Sequence, residues 1–272
     1  MKWLVADSLS CPEQYDFSHL DSYGHYLLEA GEHVRRYEFT RPNHRLLTDL
    51  EFDVAFVLDR YDSALSIRAT KRIAQVAAIC NPMPWEVRKP DGSPAYDLVI
   101  SSIPWMVDEA RKHGCRAEFQ KLCFDHRALV CSMGVEKDID CLFVGTVDGN
   151  HRKRAEVLRE LGDLVTIAPP TYGRDFYRLV ARAKTTVNVH AEWAKGARNA
   201  LRIYETIGLG GICLTDGLTN GVPGWELGSP APSVAEALER FGDWASEEQG
   251  WVLANHTYVQ RVPQIISWAR SL

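Results

Sequence analysis

The chain has 272 residues, 46% hydrophobic and 25% charged, with a formal net charge of −5. This is the balance of a globular protein with room for one large domain or two of about 130 residues each. The charge is shared evenly: residues 1–135 hold 16 Lys/Arg against 19 Asp/Glu, and residues 136–272 hold 15 against 17. A protein held to nucleic acid by phosphate neutralisation shows a basic bias, and this one does not. The apolar runs Asp53–Leu58 and Ile73–Cys80 are far too short to span a bilayer. Seven cysteines without a C-x-x-C pair predict free thiols, several buried, in a reducing cytoplasmic compartment.

Strands and helices alternate along the first half. Lys2–Ala6 reads as a strand and not a secretory signal, because an aspartate follows it at once. A helix is expected over Leu20–Ala30, closed by Gly31, and strands over His33–Phe39 and Asp53–Leu58. Ser63–Arg72 is expected to be helical, and Ile73–Cys80 fits either a strand or a helix. Four prolines make Asn81–Tyr96 a loop, which also carries Trp85, Arg88 and Lys89. A strand over Asp97–Ser101, a helix over Pro104–His113 and a strand over Arg116–Cys123 complete this half. Such alternation predicts parallel β-α-β units, whose ligands gather beyond the carboxyl ends of the strands. Asp7 and Asp59 follow apolar strands directly and are the first half's candidate catalytic bases, with His25 behind them. A helix cap or turn is the commoner use of aspartate at such positions.

The pattern restarts near Met133–Asp138. Ile139–Gly145 is a strand ending in Gly145-Thr146, and a helix over His151–Leu161 opens with three cations, Arg152, Lys153 and Arg154. That start is the geometry in which backbone N–H groups cradle a diphosphate; an ordinary β-α turn looks the same. Further elements are a strand at Leu164–Ala168, a helix at Asp175–Ala183 and a strand at Thr185–Val189, after which comes His190. Next comes the stretch Arg198–Asp216, RNALRIYETIGLGGICLTD, a helix running into a buried strand. Ala200, Ile203, Tyr204 and Ile207 share one helix face, while Arg202 and Glu205 sit one turn apart on another. Asn199 is a natural cap for that helix. Asp138-Ile139-Asp140 has the form of a D-x-D metal motif but precedes its strand, so it reads as a turn and no metal is expected. Pro263 interrupts an otherwise helical pattern over Glu247–Val262 and Gln264–Arg270 and should kink it.

The runs DCLFVGT, TTVNVH, LRIYETIGLGG and ANHTYVQR resemble, in order and approximate spacing, the CgeB-like (spore-maturation-protein type) glycosyltransferases. The resemblance covers about residues 136–262 and extends into AYDLVISS, RKHGC and LCFD. It implies a GT-B-like α/β fold of two Rossmann-type domains facing a cleft. They would span residues 1–135 on the acceptor side and 136–245 on the nucleotide-sugar side, with kinked helices at 246–272 crossing back to the first. It further implies a soluble, metal-independent transfer of sugar from a nucleotide-diphosphate sugar, most simply a UDP-sugar, to a hydroxyl, with no permanently bound cofactor. Residue by residue, Glu205 would accept hydrogen bonds from the ribose. Arg202, with Lys195 or Arg198, would bind the diphosphate. Gly145-Thr146 would approach the phosphates and His190 the sugar, with Arg152 and Asn199 nearby. Related retaining enzymes carry a second glutamate where this chain has Ala197, which leaves the stereochemical outcome open. The acceptor could be a small molecule, a protein, a glycan or a hydroxymethylated base in viral DNA, for which Trp85, Arg88 and Lys89 would supply stacking and phosphate contact. A non-catalytic nucleotide-sugar sensor and a GT-B-like epimerase are the competing readings.

Overall fold

The computed structural model describes residues 1–7, 15–39, 50–58, 61–76, 82–147, 151–190, 201–216 and 224–272. The chain divides into two compact units, Met1–Lys121 with Tyr258–Leu272, and Leu122–Thr257. Each is a parallel sheet with helices packed on it, as the alternating pattern predicts. No helix among the described residues is long and apolar enough to cross a membrane.

In the first unit the strands are β1 (Lys2–Asp7), β2 (His33–Glu38), β3 (Glu51–Val57), β4 (Arg68–Val76), β5 (Leu98–Ser101) and β6 (Ala117–Phe119). They lie in the order β2-β1-β3-β4-β5-β6, all parallel. Trp3, Leu4, Val5 and Ala6 are wholly buried, the continuous apolar run expected of a strand covered on both faces. Helix α1 (His19–Glu29) is capped by Ser18, whose hydroxyl accepts from the Asp21 N–H, and α2 (Pro104–Lys112) begins with proline at its first turn.

One expectation fails here. The segment expected to be helical over 63–72 is a single 3-10 turn at Ser63–Ser66 followed by β4. Its sequence, RATKRIAQV, has no strong preference of its own. What decides is the place between β3 and β5: Ile73 and Ala74 pair with both neighbours, Gln75 and Val76 pair with β5, and all four are buried. Tertiary pairing overrides a weak helical pattern.

The last helix, α8 (Tyr258–Ser271), belongs to this unit. Tyr258 stacks on Tyr26 at 5.5 Å, meets Tyr23 edge-on at 4.8 Å, and its hydroxyl lies 2.7 Å from His19 Nδ1. Burial pulls the His19 pKa down to about 4, so its ring is neutral at pH 7. Lys71 donates to the Ala269 carbonyl at 2.7 Å, and Arg270 to the buried carboxylate of Glu32 at 3.1 Å. The helical pattern is interrupted at His256-Thr257, and α8 continues through Pro263. Proline removes only the N–H that would bond the carbonyl of Val259, an exposed residue that water can serve.

The second unit holds β7 (Ile139–Val144), β8 (Thr166–Ala168), β9 (Ala183–Asn188), β10 (Ile212–Thr215) and β11 (Trp225–Glu226), in the order β11-β10-β9-β7-β8 and again all parallel. Its helices are α3 (Arg152–Leu161), α4 (Gly173–Ala181), α5 (Leu201–Gly208), α6 (Pro230–Glu239) and α7 (Phe241–Asn255). Cys141, Phe143, Val187 and Leu214 pack with Leu158 and Leu161 of α3 and Val234 and Ala237 of α6 on one face. On the other face Ile203, Tyr204 and Ile207 of α5 are fully buried, and Thr206 hydrogen-bonds Thr186 of β9 at 2.8 Å. Phe124 ties the start of this unit to its end, its N–H donating to the His256 carbonyl at 2.8 Å. A Cβ on Gly208 would stand 2.5 Å from the Phe124 ring, so α5 approaches that ring as closely as only glycine allows.

Candidate functional site

In a parallel sheet, the crevice opens where successive crossovers leave in opposite directions. In the second unit that switch lies between β7 and β9, because the chain passes from β7 to β8 on one side and to β9 and β10 on the other. The residues at this edge are Val144-Gly145-Thr146, Asn188-Val189-His190 and Thr215-Asp216. Gly145 has φ +150°, a conformation that L side chains rarely adopt, so the chain turns out of β7 with bare backbone.

Two guanidinium groups fasten this edge. Arg154, from the first turn of α3, donates to the carbonyls of Thr146 at 2.6 Å and Val189 at 3.1 Å, and lies over the Phe143 ring at 5.5 Å. It thereby bridges the ends of β7 and β9. Arg202, from α5, donates to the Val144 carbonyl at 2.9 Å and lies over the Phe176 ring at 4.6 Å. Glu205 is the anion nearest to Arg202 in sequence and space, its Oε2 3.8 Å from Arg202 Nε. Tyr177, beside Phe176 on α4, donates its hydroxyl to Glu205 Oε1 at 2.8 Å. Burial pushes the Glu205 pKa up, opposed by the Arg202 charge and the Tyr177 hydrogen bond. The same burial, with the Glu205 charge, pushes the Tyr177 phenol well above its ordinary value, so it stays a donor.

A second network stands at the ends of β9 and β10. Asp216 Oδ1 accepts from the His190 backbone N–H at 2.8 Å and lies 2.8 Å from its Nδ1. Lys153 donates to Oδ2. Burial alone would raise the Asp216 pKa, but the bonds from His190 and Lys153 outweigh it and hold the carboxyl down to about 2.

The structure thus brings Gly145, Thr146, His190, Arg202 and Glu205 to one sheet edge. Arg152 is exposed at the start of α3. Lys195, Arg198, Asn199 and Asp59 lie outside the described residues. Asp7 closes β1 in the first unit, at that sheet's own switch point between β1 and β3. His25 pairs with Glu29 one turn along α1 at 3.1 Å. Trp85 is only 3% exposed, so it offers no stacking face; Arg88 donates to the His113 carbonyl and Lys89 lies 4.0 Å from Asp97. The stacking surface expected of this loop is therefore absent among its described residues.

Asp138 and Asp140 occupy the amino edge of the second sheet, bonded to Arg182 at 2.6 and 2.8 Å and to Lys184 at 2.6 Å. Among the described residues no three His, Cys, Asp or Glu side chains cluster as metal ligands would. Cavities of ≈ 480 and ≈ 430 Å³ open at the amino ends of β1–β4, bounded by residues such as Lys2, Trp3, His33 and Phe52. They lie at the opposite edge of the first sheet from its strands' carboxyl ends; topology and charge mark the candidate site, at the carboxyl ends of the second.

Phe176 and Tyr177, which carry this geometry, are not among the residues the sequence singled out, and Asp216, which closes the Arg198–Asp216 stretch, was given no role there. The signal for Asp216 was present: it directly follows an apolar strand, as Asp7 does.

No family profile matches the sequence, and no curated protein matches it. Solved structures do. AviGT4, a glycosyltransferase involved in avilamycin A biosynthesis, superposes with a TM-score of 0.65 at 15% identity, over 99% of this chain and 97% of that one. Anabaena HepE, solved with UDP and glucose, gives 0.62 at 12% identity over the whole of both chains. T4 phage BGT, solved with UDP-glucose, gives 0.57 at 10% identity, again over both whole chains. At such identities the likeness speaks for architecture, and it spans the full chain: this protein has the two-sheet GT-B fold found in glycosyltransferases.

Proposed function

We propose that the chain is a glycosyltransferase of the CgeB-like group, moving a sugar from a nucleotide-diphosphate donor, a UDP-sugar, to a hydroxyl acceptor. The observation that carries this reading is the Arg202/Glu205 pair, held beside the Gly145 turn at the switch point of the second sheet. In this reading Glu205 accepts from the ribose hydroxyls, Arg202 binds the diphosphate, Gly145-Thr146 lies along it and His190 meets the sugar. Two neighbours of the same fold were solved with UDP and glucose or with UDP-glucose, which supports the choice of donor.

The reaction breaks the bond from the anomeric carbon to the diphosphate oxygen and forms one from that carbon to the acceptor oxygen. The acceptor's proton passes to a base, for which Asp7 and Asp59 remain the candidates. Negative charge grows on the departing diphosphate, and a pre-oriented guanidinium stabilises it without reorganising. We assign that role to Arg202 and expect turnover to persist in EDTA. The acceptor is taken as a hydroxyl of a small molecule, protein or glycan. Burial of Trp85 removes the stacking part of the contact expected for a nucleic-acid acceptor, leaving the partly exposed Arg88 and Lys89.

Incubation with a panel of nucleotide sugars, read by mass spectrometry, tests the proposal. A transferase releases the free nucleoside diphosphate, even slowly to water. A sensor releases nothing, and an epimerase converts the donor sugar with no acceptor present.

A further inference from the structure

We infer that Asp216 is a positioning residue that locks His190 in one tautomer, with the proton on Nδ1, so that Nε2 is held as a hydrogen-bond acceptor for a hydroxyl of the donor sugar. The inference rests on the donor-site reading above and deepens it. Two N–H donors, the His190 backbone amide and the ring Nδ1, converge at 2.8 Å on the same carboxylate oxygen. An ionised carboxylate only accepts, so the bond to Nδ1 exists only if Nδ1 carries the proton. Lys153 bonds the other oxygen, which balances the carboxylate's charge and opposes its rotation.

Three elements supply these groups: β9 ends at His190, β10 at Asp216, and Lys153 comes from the first turn of α3. The ring is therefore fixed in orientation, with a proton on Nδ1. Its Nε2 is buried and has no hydrogen-bond partner among the described residues. A buried acceptor left unserved is destabilising by about 1–3 kcal/mol, so such a group is ordinarily matched by water or ligand. A neutral ring with a lone pair on Nε2 takes a hydroxyl donor and repels a phosphate oxygen. That chemistry assigns His190 to the sugar and separates it from Arg202.

The test uses the full chain labelled with 15N-histidine, at about pH 8.5, roughly two units above the ordinary imidazole pKa. The His190→Gln variant assigns the resonance. The expected wild-type spectrum shows the His190 proton on Nδ1, and UDP-glucose shifts Nε2 where UDP alone does not. Asp216→Ala removes the acceptor: the proton then distributes over both nitrogens, and the preference for UDP-glucose over UDP, measured by calorimetry, falls about tenfold while UDP affinity holds. Asp216→Asn keeps an amide oxygen that accepts both N–H groups, and so restores the tautomer and most of the preference.

A proton on Nε2 in the wild type overturns the lock. Equal Nε2 shifts with UDP and UDP-glucose overturn the sugar contact. Equal losses of UDP and UDP-glucose affinity in Asp216→Ala, unrescued by asparagine, reduce Asp216 to a structural residue. If no nucleotide sugar binds while the proton still sits on Nδ1, the donor-site reading fails and takes the sugar contact with it, a result distinct from the other three. The wild-type spectra decide the lock even if a variant does not fold.

Discussion

The two edges of the second sheet use their basic residues in different ways. At the amino edge Arg182 makes two parallel bonds to Asp138, and Lys184 bonds Asp140. These are exposed pairs in which each cation is matched by a carboxylate. Lys137, at the same edge, donates to the carbonyls of Ala181, Ala183 and Leu209, where two helices have just ended and carbonyls lack partners. At the carboxyl edge Arg154 and Arg202 bond strand-end carbonyls and lie over Phe143 and Phe176. The Arg182 guanidinium bonds its carboxylate directly at 2.6 and 2.8 Å, whereas Arg202 stands 3.8 Å from Glu205 and is oriented mainly by a carbonyl and a ring. In the donor-site reading proposed above, the second edge is the one that meets the anion.

That contrast can be broken at several points. The largest effect is expected from Arg202→Ala, which should lower turnover about 100-fold or more through loss of a fixed leaving-group cation, and Glu205→Gln should weaken donor binding about 10- to 100-fold. Steady-state kinetics and calorimetry separate the two.

Tyr177→Phe comes next. It frees one oxygen of Glu205 without touching its charge, and should raise the donor Kd about three- to tenfold while the circular dichroism spectrum is unchanged. Discrimination between UDP and its ribose-deoxy analogues should shrink with it.

The Asp216 network gives a pH signature. Its carboxyl titrates near 2 in the folded chain, below its ordinary 3.8, so the unfolded chain binds the proton more tightly between those values. The stabilisation is present in full above about pH 4 and is lost as pH falls toward 2, and it amounts to about 1–2 kcal/mol. Urea melts across that window should show a shallower fall in stability for Asp216→Asn than for the wild type.

Smallest of all, Arg182→Ala at the exposed amino edge should barely move the urea midpoint and should leave donor affinity unchanged.

How much of this was readable in the sequence follows from how each feature is encoded. Strands such as Trp3–Ala6 and Ile212–Leu214 are short apolar runs bounded by polar or glycine residues, and such runs announce themselves. So did Gly145, His190 and the Arg202/Glu205 spacing, because each belongs to a single element and its end. Strand β4 did not, since RATKRIAQV becomes a strand only when β3 and β5 flank it. The interruption at His256-Thr257 was not legible, because no proline or glycine marks it, although it divides a helix of the second unit from one anchored by Tyr258 in the first. Phe176 and Tyr177 escaped notice for a different reason: they act on Arg202 and Glu205 across space, from another helix, and no spacing within one element encodes that. Trp85 misled for the same cause, since an aromatic among cations in a proline-rich loop looks exposed until the fold buries it.

The central claim is that the carboxyl edge of the second sheet carries an oriented positive charge for a nucleotide diphosphate, while the amino edge does not. Calorimetric titration of UDP into the wild type, Arg202→Ala and Arg182→Ala chains tests it most directly. The account predicts saturable binding to the wild type, the same affinity for Arg182→Ala, and a loss of at least about tenfold for Arg202→Ala. Equal affinity in all three chains, or a loss confined to Arg182→Ala, would contradict it.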